Sequence, residues 1–241
     1  MSADTSSAWD GFEAVDLSHP LEEEMPVWPT LSRFFKELWC SIHYGDEATA
    51  YQLVMNEHTG THVDAPAHYL PPDHPQHRWV DEVPVEQWIG QACLVGCEAV
   101  RPGSAVGADH VRNWEAANGR LERGDIAVFT FGWWRKWGVR PDDAGFLTDW
   151  PGLGLDCVEL LLERGVKAVG VDTLSPDVYG DSGSPVHRAL LGEGVVIVEN
   201  LAHLDVVPPR FMLFAAPLMV KGGSGAPCRA IGLVPKSSPG D

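Results

Sequence analysis

Basic side chains are scarce in this chain. Only 17 Lys and Arg stand against 34 Asp and Glu, a formal net charge of −17, which argues against nucleic acids and anionic membranes as partners because both require basic patches. Long apolar runs are missing too, and none approaches the ~20 residues of a membrane-spanning helix. No basic-then-apolar leader opens the chain, since residues 1–10 are small, polar and acidic. The five cysteines, Cys40, Cys93, Cys97, Cys157 and Cys228, include no Cys-x-x-Cys pair. An odd set without a leader predicts a cytoplasmic protein with reduced thiols. Cys93 and Cys97 lie in an apolar run and are expected as buried free thiols. The Gly-x-Ser-x-Gly pattern is absent, so the serine nucleophile elbow that this pattern marks is not available. No internal repeat and no low-complexity linker divides the chain, and one domain over 11–234 is expected. Polar tails at 1–10 and 235–241 should be poorly ordered.

What is present is an ordinary globular composition, 44% apolar and 21% charged over 241 residues, enough to bury a substantial core. Strands are predicted at 92–97, 125–131, 168–172, 195–198 and 211–216. Several are nearly continuous apolar runs, the pattern of strands covered on both faces. Helices are predicted over 109–117 and 155–164. In the second, Leu155, Val158, Leu161 and Leu162 recur at helical spacing and Gly165 follows its end. Strands alternating with a few helices predict a mixed α/β domain.

The densest chemistry lies in His58-Thr-Gly-Thr-His62-Val-Asp64-Ala-Pro-Ala-His68. It holds three of the chain's ten histidines and a carboxylate within eleven residues. Gly60 and Pro66 argue against a helix here. As a strand, the segment puts His58, Gly60, His62 and Asp64 on one face and Thr59, Thr61 and Val63 on the other. Full extension would separate His58 from His62 by roughly 13 Å, at about 3.3 Å per residue, so a bend is expected at Gly60. A lone histidine is more often a hydrogen-bonded structural residue. This density, with a carboxylate at matched parity, points instead to a metal site, and the ligand set suits zinc or manganese. Farther on, Glu199 ends the apolar run Val195–Val198. A carboxylate delivered there by a buried strand needs a positive partner, and by itself it reads as an ion-pair partner before a ligand. His187 opens His-Arg-Ala-Leu-Leu, which reads as one or two helical turns.

The motif His-x-Gly-Thr-His-x-Asp-x-Pro-x-His resembles the signature of the metal-dependent cyclase family, which includes bacterial-type kynurenine formamidases and isatin hydrolases. Asp16-Leu-Ser-His-Pro-Leu, Met25-Pro-Val-Trp28-Pro29, the stretch from Gly165 to Thr173 and that from Val196 to Leu201 are similar to further family segments, in the same order. The resemblance runs from about residue 14 to 234. It implies a swivelling β/β/α fold and two divalent ions, zinc foremost and manganese next. By the resemblance, His58, His62 and Asp64 hold one ion, His187 helps hold the other, and Asp64 and Glu199 bridge the two. It makes His68 the catalytic acid/base and Trp28 a substrate-contacting residue, and it implies a homodimer or larger assembly. The implied activity is hydrolysis of an amide-type C–N bond in a small, aromatic substrate by metal-activated water. A lactone hydrolase, a cyclase/dehydratase and an inactive metal-dependent small-molecule binder are the alternatives. Phe34, Phe35, Trp39, Trp133 and Trp134 are further candidates for an aromatic wall. The chain departs from the formamidase pattern at Thr30, where Gly-Asp is usual, and over 33–49, which has no counterpart in it.

Overall fold

Thirteen strands and three α-helices carry the chain through residues 11–236, the part that this computed structural model describes. The strands begin with β1 (Phe12–Asp16), β2 (Phe35–Cys40), β3 (Ala50–Val54), β4 (His62–Asp64), β5 (Ile89–Gly96) and β6 (Ala105–Val106). They continue with β7 (Ile126–Thr130), β8 (Gly152–Leu153), β9 (Ala168–Val171), β10 (Val196–Glu199), β11 (Arg210–Phe214), β12 (Gly225–Pro227) and β13 (Ile231–Pro235). The helices are α1 (Ala108–Asn118), α2 (Leu155–Arg164) and α3 (Pro185–Gly192).

Nine strands form one sheet in the order β1-β13-β11-β5-β7-β9-β10-β4-β12. Its centre, β5-β7-β9-β10, is parallel, and the strands on either side are antiparallel. Each step between neighbouring parallel strands passes through one helix, the arrangement that covers a parallel sheet. All three helices pack on one face, where Val111, Leu161 and Leu190 meet Phe129, Val169 and Ile197. The opposite face is closed by Leu17, Trp88, Leu204 and Ala226 over Ile126, Val128 and Val198. The central apolar runs are therefore buried on both faces, and every residue of β7, β9 and β10 is buried. Arg164 grips Glu115 with two hydrogen bonds of 2.7 and 2.9 Å, tying α2 to α1. Cys93 and Cys97 are buried free thiols, and burial pushes the Cys93 thiol up to about 12.

The segment 58–64 bends at Gly60 as expected, and of its residues His62–Asp64 pair as a strand. The tail expected at 1–10 lies outside the described residues, as does 237–241 of the one expected from 235. Pro235 itself pairs with Phe12 at the sheet edge. The hairpin β2–β3 stands apart from the main sheet.

Candidate metal centre

Strand β4 lies beside β10 with His62 opposite Glu199 and Ile197 opposite Asp64. This places the site at the carboxyl end of the parallel strands, where α/β sheets bind their ligands. Gly60 takes a left-handed conformation, φ +63°, and a Cβ there would meet the Leu21 side chain at 2.5 Å. That turn folds His58 back, so the His58 and His62 rings stand 5.2 Å apart. The backbone at the turn is locked to the end of β10. Asn200 donates its amide to Gly60 O at 2.8 Å, and the Thr61 hydroxyl donates to Asn200 O at 2.6 Å.

Three of the rings make one hydrogen bond outward and turn the other nitrogen to a carboxylate. His62 Nδ1 donates to Gly60 O at 2.9 Å. Its Nε2 faces Glu199 Oε2 at 3.2 Å and Asp64 Oδ1 at 3.5 Å. His187 Nδ1 is hydrogen-bonded to Asp177, and its Nε2 stands 3.3 Å from Asp64 Oδ2 and 3.1 Å from Glu199 Oε1. His58 Nε2 lies 3.1 Å from the Ser224 hydroxyl, which donates to Glu57 at 2.6 Å and so accepts from His58. The inner His58 atom, Nδ1, is 2.7 Å from Asp64 Oδ1. Asp64 Oδ2 and Glu199 Oε1 are buried without a directed hydrogen bond. Lone pairs from imidazoles and carboxylates thus converge, and only a cation, either a proton on each ring or a metal ion, reconciles them.

The electrostatics agree. Burial alone would lower His62, but its hydrogen bond to Glu199 and the Glu199 and Asp64 charges raise it to about 9. His187 is likewise held well above its ordinary value, against burial, by Asp177, Asp64 and Glu199. Burial would raise Asp64, yet the charges of His58 and His68 hold it well below the carboxylate range. His68 differs from the others. Burial lowers it, and His58 and His187 act in the same direction while Asp64 and Glu199 oppose them.

The structure brings all six predicted polar residues to one place. His62, Asp64 and Glu199 present close ligand atoms as one group, and His58, Asp64 and His68 as another, with Asp64 common to both. His68 sits in a 3-10 turn after Pro66, its ring 4.0 Å from that of His58.

The Cyclase family model matches residues 15–178. A kynurenine formamidase of Salinibacter ruber is 31% identical over 90% of this chain and 95% of its own. The chain belongs to the cyclase family. Among cyclase-family relatives, an isatin hydrolase of Roseibium aggregatum is 31% identical over 77% of this chain and 74% of its own. Isatin hydrolase A from Labrenzia aggregata, solved with benzyl benzoate bound, superposes with a TM-score of 0.86 at 28% identity, covering 94% of this chain and 95% of that one.

In this cyclase-family chain the cluster forms the floor of a cavity of about 190 Å³, walled by Trp28, Thr30, Leu31, Tyr69 and Leu174. Trp28 is 41% exposed and backed by the Trp150 ring at 5.9 Å. The other aromatic candidates do not line it. Phe34 and Trp133 are core residues, Phe35 and Trp39 lie exposed on the hairpin, and Trp134 packs on His203. Sequence reasoning missed Glu57, Asp177 and Ser224. Asp177 lies ten residues before His187, but Asp181 is nearer, so spacing alone did not single it out.

Proposed function

We propose that this protein is a metal-dependent hydrolase that cleaves an amide-type C–N bond in a small aromatic substrate. The observation that carries the proposal is the convergence of three inward imidazole nitrogens on two buried carboxylates at the floor of a cavity. Relatives named kynurenine formamidase and isatin hydrolase support the same reading. His58, His62, Asp64, His187 and Glu199 would hold two divalent ions, with both carboxylates shared. Imidazole and carboxylate donors suit zinc first and manganese second. Bound there, the metal supplies Lewis acidity and a water acidic enough to serve as a nucleophile near neutral pH. His68, kept neutral by its lowered affinity for protons, would accept a proton from the attacking water and pass it to the departing nitrogen. Trp28 offers a flat face on which an aryl ring stacks.

Exhaustive chelation is expected to abolish hydrolysis, and zinc or manganese to restore it. Metal analysis and assays with formylkynurenine, isatin and an aryl lactone check this together. Full activity in metal-free protein would overturn the proposal. Trp28→Ala should raise KM for an aryl substrate while barely moving the melting temperature, since the ring is 41% exposed. A core tryptophan would instead cost about 3–5 kcal/mol on truncation, and such a loss with unchanged KM would remove Trp28 from the substrate wall.

Assembly and location complete the proposal. The β2–β3 hairpin exposes Trp39 at 75%, Ile42 at 65% and Tyr44 at 75%. A two-stranded ribbon with such residues in water is marginal on its own, which supports at least a homodimer. A monomer in sedimentation velocity would sink that reading. Five free cysteines fit a reducing cytoplasm.

A further inference from the structure

We infer that Asp177 is a positioning residue for the metal centre, acting through His187 and resting on the metal reading above. It is buried, and its carboxylate takes three donors from one helix. Val186 N donates to Oδ1 at 2.7 Å, and His187 N to Oδ2 at 3.3 Å. The third is His187 Nδ1, bonded to the same Oδ2. A carboxylate at the mouth of α3 thus satisfies two of the amides that a helix start leaves unpaired. The same group fixes the ring. With Nδ1–H committed to Asp177, Nε2 is left as the lone-pair nitrogen facing Asp64 and Glu199, the form in which an imidazole binds a metal.

The backbone that carries Asp177 is itself held. Leu153 N donates to Pro176 O at 2.8 Å, Asp177 N to the Ser175 hydroxyl at 3.1 Å, and Trp150 Nε1 to Asp177 O at 2.9 Å. Gly152 lies against this segment so closely that a Cβ would stand 2.5 Å from Asp177 C and Val178 N. Trp150 also backs Trp28. One residue therefore joins two parts of the site, the metal-facing ring through its side chain and the aromatic wall through its carbonyl. A carboxylate placed on a clamped backbone can set the direction of a ring; one on a loose loop could not.

The two roles are separable, because Asp177→Asn leaves the carbonyl and the tryptophan wall in place. Zinc titration against a chromophoric chelator should show the variant binding zinc 10–100-fold more weakly, the usual effect of losing such a partner. Hydrolysis should return at high zinc with the parental KM. In the zinc-loaded parent, nitrogen-15 spectra of the imidazoles should show His187 protonated at Nδ1. Parental zinc affinity in a folded variant would overturn the inference alone, as would a His187 protonated at Nε2 in the zinc-loaded parent. That spectrum decides the matter even if Asp177→Asn does not fold. A parent chain that binds no zinc would overturn the metal reading and this inference with it.

Discussion

His68→Ala should keep its metal and turn over substrate roughly 10²–10⁴ times more slowly than the parent, the usual contribution of a general acid or base. His62→Ala should instead lose metal. The difference follows from how each ring is held. His62 is only 3% exposed, clamped outward by Gly60 O and inward by two carboxylates, so its removal leaves Glu199 and Asp64 with uncompensated charge. His68 follows the Pro66 turn and lines the cavity, and its nearest ring neighbour is another histidine. Burial and that neighbour keep it neutral, which suits a group that must gain and lose a proton within one cycle. His68 also lies close enough to His58 and Asp64 to share a ligand group with them. Metal analysis of the two variants therefore separates the roles. Equal loss of metal from both would make His68 a ligand and leave the proton transfer to another group.

How much of this was legible in the sequence varied with the range of the interaction. The central strands were readable because burial on both faces leaves continuous apolar runs, and α2 because its apolar spacing closes at a glycine. The bend at Gly60 was readable from distance alone: an extended chain could not bring His58 and His62 together, and the left-handed turn at that glycine does so. The bend leaves three residues, His62–Asp64, to pair as a strand. The β2–β3 hairpin was not foreseen, since both of its faces are exposed and no alternation of apolar and polar residues marks it. Ser224 lies 166 residues from the ring it meets, and nothing local to it announces that partner. Asp177 is nearer to His187, but their contact depends on a loop whose course is set by Gly152 and Trp150.

Metal-free protein should lose stability as the pH rises from 6.5 to 9, and metal-loaded protein should not. An unperturbed imidazole titrates near 6.5, whereas His62 in the fold titrates at about 9. Between those values the folded chain holds a proton that the unfolded chain has released. The resulting stabilisation is complete below pH 6.5 and is lost as the pH climbs through 9. A separation of this size corresponds to about 3 kcal/mol, and His187, raised in the same direction, acts in the same sense. Asp64 does not enter this window, because a depressed carboxylate gives up its contribution only as the pH falls through its folded value. A bound ion replaces the protons on the inner nitrogens and removes the reason for the alkaline loss. Denaturant unfolding at both pH values, with chelator and with saturating zinc, measures the effect. Glu199→Gln should shrink the alkaline loss in metal-free protein, since Glu199 provides the largest of the interactions that raise His62. Equal stability of the metal-free parent at the two pH values would mean that the carboxylates are not compensated by protonated histidines, and the electrostatic case for a cation at this centre would fall.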